Sequence, residues 1–506
     1  MGIIIRQSIK GTIANYIGVA VGFITTFFVL TNYLTPEEIG LTRVLVDAAT
    51  IFTSLALLGT GSSTLRFYPF FKSEDNQNNG LFFWTLIIPF VGFLLFLACF
   101  FIFKGVIIDT FQDKSQLFVD YVYFILPLSF FMLYISVFEV NATILTRIAV
   151  PKFIREVVIR VMLLFGYVLF GFKVINLDGL VIFLCATYGL AALLNVFYLV
   201  FTQKVSFRPQ LGFITKSLVK EFSLYTLFLI TAALISSVMP TISSFFISAK
   251  MGLMYTGIFA VANYIATVIE IPYRSLSAAV QPRISLAIKE NNVEGANLLC
   301  QKVSLHQFLA GSFIFLLIWI NIDLLFQILP NGDQYVVGKY VVFILSMQRL
   351  GNASFGIGAS ALAYTKYYYY SLFFSFLLIV STILLNVVLI PQYGMMGAAA
   401  ATFLSFLFYY AVLLTYVKLK VGTSPFCMGE LKVLILIMVL YFFNLIISHF
   451  TLPWCAHSPI SIKILEAMLR SLLVALLGGV SVYFGKLSPE VNALIERVIG
   501  VLKLKR

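Results

Sequence analysis

Five arginines stand inside stretches that are otherwise almost wholly apolar: Arg43, Arg160, Arg274, Arg349 and Arg470. Four of them have a carboxylate four residues away, namely Asp47, Glu156, Glu270 and Glu466. Residues at i and i+4 share a helix face, so each such pair can neutralise itself. The other chemistry open to them is anion recognition, because the planar guanidinium fork matches two oxygens of a phosphate or carboxylate at once. Arg349 and Glu139 have no partner at helical spacing. Arg349 lies in VFILSMQRLGNASFGIG, flanked by Gln348 and Asn352, with Gly351, Gly356 and Gly358 to loosen the helix. The structural alternative for Arg349 is an ion pair with Glu139 or Asp47. Asp47, Glu139 and Glu270 are also the carboxylates able to carry a proton or sodium ion, and the residues alone do not choose among them.

Composition says what must hold these side chains. The 506 residues are 61% hydrophobic and only 11% charged, with a mean hydropathy of +1.00. A soluble domain carries about 25% charged residues, so a cytosolic enzyme, a secreted domain and a disordered chain are all excluded. What remains is an all-α polytopic membrane protein. A span needs about 20 apolar residues, and fourteen such stretches are present, near 9–33, 41–64, 81–103, 118–142, 153–172, 179–202, 221–248, 253–280, 304–329, 336–363, 367–390, 395–417, 431–450 and 462–485. Runs such as LFFWTLIIPFVGFLLFLACFFIF are apolar on every side, which a barrel strand is not. A charge at bilayer depth costs about 2.5–3.5 kcal/mol on insertion scales, so each arginine above needs a reason to be there.

The net charge of +13 follows the topology. Of the 34 lysines and arginines, twenty-three fall in loops on one side, six on the other and five within spans. The positive-inside rule then places both termini in the cytoplasm. The basic loops face anionic lipid, so nucleic acid is not implied. The five cysteines form no framework, with Cys300 and Cys427 expected in polar loops, and the three histidines lack metal-ligand spacing. Tyr367 to Tyr370 after Lys366 reads as an interfacial aromatic belt. Pro240 and Pro272 are candidate kinks.

A weak internal repeat is present. At an offset of 217, Gly40 meets Gly257, Val44 meets Val261, Ala49-Thr50 meets Ala266-Thr267 and Arg66 meets Arg283. Gly179 meets Gly397 at an offset of 218. The expected organisation is two pseudo-symmetric six-helix lobes, 1–210 and 211–420, followed by two additional helices and a basic tail in 421–506. Parallel repeats of this kind place substrate sites between the halves of transporters.

Two segments carry a family resemblance. NYLTPEEIGLTRVLVDAATIFTSLALLGTGSSTLRF resembles the first hairpin of bacterial polysaccharide transporters, the lipid-linked oligosaccharide flippases of the multidrug/oligosaccharidyl-lipid/polysaccharide exporter superfamily. LIPQYGMMGAAAATFLSFLF resembles span 12 of the same family. The resemblance implies two lobes rocking around a cavity to move a prenyl-diphosphate-linked oligosaccharide from the cytoplasmic to the outer leaflet of a bacterial inner membrane. The product would serve O-antigen, capsule or exopolysaccharide synthesis. Under it, Arg349, Arg274, Arg160, Arg43, Gln348 and Asn352 are cavity candidates for the anionic substrate. Asp47, Glu139 and Glu270 are candidate coupling or gating carboxylates. No cofactor or metal is implied; the energy source would be a proton or sodium gradient or the membrane potential. The implied partners are the lipid-linked anionic oligosaccharide, the bilayer and the polysaccharide polymerase machinery.

Two other classes compete. A cation-coupled drug or metabolite antiporter of the same superfamily would favour a carboxylate-dominated cavity, against five arginines within spans. A membrane-embedded glycan polymerase or ligase needs chemistry on the outer face, yet the longest external loops, about 104–117 and 451–461, are short and lack an Arg/His or carboxylate cluster. A transporter without enzymatic activity is the expectation.

Overall fold

The computed structural model of the chain describes all residues except 1, 74–77, 204–209, 211–215, 456–457, 494–495 and 497–506. The basic tail from Arg497, together with Lys204, Arg208 and His457, lies outside the described residues.

Every regular element among the described residues is helical. α1 is Gly2–Ile24, continued by a π-helical stretch Thr25–Leu30; α2 is Pro36–Ala56, followed by a shorter helix Thr60–Phe71. α3 is Leu81–Phe111 and α4 is Ile125–Ile144. α5 is Ile159–Gly171, entered through Ala149–Phe153 and a π-helical turn Ile154–Val158. α6 is Leu177–Gln203, and α7 is Lys216–Val238 with a bent continuation Ile242–Lys250. α8 is Leu253–Thr267, running through a 3-10 turn Val268–Glu270 into Ile271–Lys289. α9 is Val293–Ile320 and α10 is Lys339–Ala361. Tyr370–Val421 is broken at Gly394 into α11 and α12. α13 is Met428–Cys455 and α14 is Ile460–Phe484.

Nine described helices are long and apolar enough to cross a membrane, and the bent α7 pair makes ten. With the break at Gly394 counted, and with 149–171, α10 and α14 also of crossing length, the described residues hold about fourteen spans. The chain is an all-α polytopic membrane protein, as its composition requires.

Local chemistry sets several boundaries. α2 starts with a capping box: Thr35 Oγ1 accepts from the Glu38 backbone N–H at 3.3 Å, and Glu38 Oε2 accepts from Thr35 N–H at 2.8 Å. Pro36, which has no N–H to lose, fills the first helical position. α7 breaks with a 51° bend across Met239–Thr241, where Pro240 removes a donor. Gly394 turns the chain between α11 and α12 at φ 58°, ψ −134°, a conformation closed to residues with a Cβ. One expectation fails here. Cys300 is not in a loop but in α9 and fully buried, because α9 begins eleven residues before the apolar run that announces it. Cys99, Cys185, Cys300 and Cys427 are all unbonded thiols.

The described residues form two compact units, Met1–Val261 and Ala262–Arg506. That division concerns packing; the repeat boundary expected at 210/211 concerns duplication, and the two need not coincide.

The core of the first unit lies along α2, where Leu41, Val44, Leu45, Ala48 and Ala49 recur at helical spacing. They meet Ile125 and Leu128 of α4, Val181 and Leu184 of α6, and Leu253 at the start of α8. In lipid the hydrophobic effect does not drive such contacts, so close backbone approach at small residues does more of the work. Gly40 and Gly257 are the closest case. A Cβ on Gly40 would stand 3.2 Å from Gly257 N, and one on Gly257 would stand 3.1 Å from Gly40 N. The two helices therefore approach backbone to backbone at these glycines.

In the second unit α9 is the spine. Leu309 packs with Val433 of α13 and Val482 of α14, and Leu316 with Leu440 and Val474. Phe315 packs instead with Leu350 of α10 and Ile269 of α8. α10 is one uninterrupted helix, so Gly351, Gly356 and Gly358 do not loosen it. Two of them admit neighbours: a Cβ on Gly356 would lie 2.6 Å from the Tyr273 hydroxyl, and one on Gly358 would lie 2.7 Å from Pro425 Cδ.

Candidate functional site

The 3-10 turn Val268–Glu270 precedes Pro272 and delivers Glu270 into the second unit, its side chain 6% exposed. Arg274, four residues on, reaches Glu270 Oε2 at 3.1 Å, and Arg349 Nη1 of α10 reaches Glu270 Oε1 at 2.8 Å. Arg349 Nη2 donates to Asn263 Oδ1 at 2.9 Å. Asn352, one turn beyond Arg349, donates to Glu270 Oε1 at 3.2 Å, while its Oδ1 accepts from the Tyr410 hydroxyl of α12 at 2.5 Å. One buried carboxylate thus carries two guanidinium groups, leaving the cluster one positive charge in excess. Arg349 Nε has no hydrogen-bond partner among the described residues.

Two expectations are corrected. Arg349 is not unpaired, and its partner is Glu270 rather than Glu139 or Asp47. Glu139 is held by Arg155, at 2.7 Å. Arg155 falls in the π-helical entry to α5, not in a loop, so the first unit holds one more helical arginine paired with a carboxylate than its sequence suggested.

The first unit has its own network. Arg43 Nε reaches Asp47 Oδ2 at 3.0 Å. Arg160 pairs with Glu156 at 2.9 Å and donates to the Gly18 carbonyl of α1 at 2.6 Å. Half-buried Tyr188 of α6 lies within electrostatic reach of Arg155, Arg43, Arg160 and Asp47. All four pairs expected at i,i+4 therefore form, Arg470 and Glu466 being the loosest at 3.7 Å. Arg470 is structural: it is buried and donates to the Ile320 carbonyl and Asn321 Oδ1, fastening α14 to the end of α9. Gln348 is buried and joins neither network, its Nε2 without a partner among the described residues.

A common polarity runs through both networks. In each pair built on Asp47, Glu139, Glu156 or Glu270 the carboxylate is the more buried member. The contrast is greatest at Glu270, 6% exposed, beneath Arg274, 68% exposed. A guanidinium on the open side at membrane depth is tolerated only against water or polar groups, not hydrocarbon. In each of these pairs the guanidinium fork is the accessible member. Asn263, Arg155 and Tyr410 belong to these networks although no sequence motif marks them; the one signal was polarity, in Asn263 and Arg155, inside or beside an apolar run. No group of three or more His, Cys, Asp or Glu side chains able to hold a metal occurs among the described residues.

Comparisons with known proteins bear on what the forks meet. The family model described as polysaccharide biosynthesis protein matches residues 5–287. No curated protein sequence matches the chain. Among solved structures, the lipid II flippase MurJ in an inward closed conformation superposes with a TM-score of 0.72 at 13% identity, covering 96% of this chain and 100% of that one. A multidrug resistance MATE family transporter of the MOP superfamily, inward-facing, superposes with a TM-score of 0.62 at 15% identity, covering 81% of this chain and 94% of that one. An outward-facing transporter of that description gives a TM-score of 0.55 at 14% identity over 82% of this chain and 95% of its own. At these identities the likeness is one of fold.

Proposed function

The chain belongs to the polysaccharide biosynthesis protein family, and from that premise we propose that it is a flippase. Its substrate is a prenyl-diphosphate-linked, anionic oligosaccharide, and it carries that lipid from the cytoplasmic to the outer leaflet of a bacterial inner membrane by alternating access of two lobes. The observation that carries this reading is the polarity of the arginine pairs, above all exposed Arg274 over buried Glu270. A diphosphate offers several oxygens, and a guanidinium fork takes two at once. The carboxylate beneath fixes the fork, so the substrate displaces water rather than ordering a loose side chain. The excess positive charge of the Glu270 cluster attracts the anion without the multiple unpaired arginines that would hold it irreversibly.

Two further points support a lipid-linked cargo. The similar fold described as a lipid II flippase moves a lipid-linked substrate by its name. The carboxylates that a cation antiporter would use, Asp47, Glu139 and Glu270, are each engaged by an arginine. That engagement favours an anionic cargo over cation exchange. The polymerase machinery on the outer face would consume the product.

Deletion of the chain tests the proposal. Lipid-linked oligosaccharide should accumulate unpolymerised on the cytoplasmic leaflet and be relieved by the intact chain. Normal surface polysaccharide in the deletion strain, with no paralogue present, would count decisively against it.

A further inference from the structure

Away from the arginine networks, Glu430 is buried with no cation within ion-pair distance among the described residues. It lies in the first turn of α13 and is 9% exposed. Two short contacts reach it, and a third joins the residues that make them. Ser304 Oγ of α9 lies 2.5 Å from Glu430 Oε1, and Ser354 Oγ of α10 lies 2.9 Å from the same oxygen. Ser304 Oγ also meets the Ser354 carbonyl oxygen. Both serines are buried.

The contacts do not balance if Glu430 is an anion. Three hydrogen bonds need three protons, and the two hydroxyls supply one each. A carbonyl oxygen only accepts, so it takes the Ser304 proton, and Oε1 takes the Ser354 proton. The contact between Ser304 Oγ and Glu430 Oε1 is then two acceptors facing each other in a buried site, which is costly. A carboxyl proton on Oε1, donated to Ser304 Oγ, gives each of the three contacts a proton of its own. No neighbouring charge offers another solution. On α9, Lys302 turns to Glu490 at 2.7 Å and His306 to Ser488 at 2.7 Å. On α10, Arg349 is committed to Glu270 and Asn263. On α13, Lys432 is exposed. In the linker before α13, Cys427 presents its carbonyl to the Glu430 N–H at 3.1 Å.

We propose that Glu430 is a proton-binding site, and that its proton seats the start of α13 on α9 and α10. The same linker is laid down by Asn297 Oδ1 accepting from Ser424 N–H at 2.7 Å and by Gln301 Nε2 donating to the Phe426 carbonyl at 3.1 Å. Loss of the proton places an unpaired anion in this seat and unseats α13. Ser354 follows Asn352 by two residues on α10, so the proton site and the Arg349–Glu270 cluster share one rigid element. That link to transport rests on the flippase reading; the proton itself does not.

Infrared spectroscopy of the full-length protein at pH 7 tests the site. The carbonyl stretch of a neutral carboxylic acid should be present, shift in heavy water, shift again when glutamate is labelled with carbon-13, and disappear in Glu430→Gln. Absence of a glutamic acid band in the labelled wild type overturns the proposal without any variant, as does a band that survives Glu430→Gln. In vesicles, wild-type flipping should respond several-fold to an imposed pH difference, and Glu430→Gln should flip at a rate indifferent to it. An equal response in the two proteins overturns the coupling. Wild-type vesicles that expose no lipid contradict the flippase reading and leave the infrared result standing.

Discussion

Arg349 Nη1 and Glu270 Oε1 lie 2.8 Å apart, joining α10 to the 3-10 turn of α8. The other arm of the same guanidinium reaches Asn263, and the other oxygen of the same carboxylate holds Arg274. The pair is therefore the centre of a network in which neither member depends on one contact alone.

Removing Arg349 should destabilise the protein without unfolding it. A buried anion stranded entirely costs about 3–5 kcal/mol, but Glu270 keeps Arg274. The expected loss for Arg349→Ala is nearer that of one charged hydrogen bond, about 1.5–3 kcal/mol. Arg349→Lys should recover part of it, since an ammonium keeps the charge and loses the fork. Adding Glu270→Gln to Arg349→Ala should not restore the melting temperature in detergent, because Glu270 is not stranded while Arg274 holds it. An Arg349→Ala protein as stable as wild type would show that the ion pair does not form.

The Gly40–Gly257 contact leaves no room for a side chain. A Cβ on Gly257 would sit 1.8 Å from the Pro36 carbonyl oxygen, and one on Gly40 would sit 2.0 Å from the Leu253 carbonyl oxygen. Backbone cannot give way as a flexible side chain does, so Gly257→Ala should cost at least about 1–3 kcal/mol of this conformation. Thr256, fully buried beside it, offers the readout. A cysteine there should resist thiol reagents in the wild-type background and react once Gly257→Ala is present. Equal protection in both backgrounds would mean that the two helices do not meet at these glycines.

Fourteen spans were legible because a run of about 20 apolar residues needs no tertiary information. The four i,i+4 pairs were legible for the same reason: helical spacing is local. Arg349–Glu270 and Glu139–Arg155 were not, since each depends on which helices become neighbours. Arg155 looked like a boundary charge because it is only the third residue of the apolar stretch at 153–172, whereas the helix already begins at Ala149–Phe153. The glycines of α10 show a different ambiguity. Gly356 and Gly358 have the composition of a loosened helix, yet they are there to admit Tyr273 and Pro425. Glu430 gave no signal, because a carboxylate at the end of an apolar run usually marks the membrane boundary.

The Lys302–Glu490 pair offers a contrast with the buried networks. The hydrogen bond from Lys302 holds the Glu490 carboxyl at about 2, below the usual glutamate range. Between about 4.3 and that value the unfolded chain binds more protons than the folded one, so stability rises with pH there. The contribution is complete above the ordinary glutamate value and lost as pH falls toward 2. Both side chains are half exposed, so it should not exceed about 1 kcal/mol. Lys302→Met should lower the melting temperature at pH 7 by about 2 °C or less, and the difference should vanish toward the acid limit. A difference that persists at the acid limit would show that Lys302 acts through something other than this pair.

The charge split between loops fixes an expected orientation. Reporter fusions after Lys420 and after Arg506 should both report cytoplasm, because the lysine- and arginine-rich loops remain on that side. An external signal at either position would contradict a fourteen-span chain with both ends inside.

The measurement that bears most directly on function uses Arg274, the exposed member of the Glu270 cluster. Arg274→Gln leaves Glu270 paired with Arg349, so the protein should fold and melt close to wild type. Vesicles holding a prenyl-diphosphate-linked anionic oligosaccharide, with leaflet exposure read by an impermeant reagent, should show transfer with the intact chain and none in protein-free vesicles. Arg274→Gln should slow that transfer at least about tenfold, the loss of roughly 1.4 kcal/mol of binding to an anion. Failure of the intact chain to exceed protein-free vesicles would contradict the flippase assignment, and full activity in Arg274→Gln would contradict the role given to the exposed arginine.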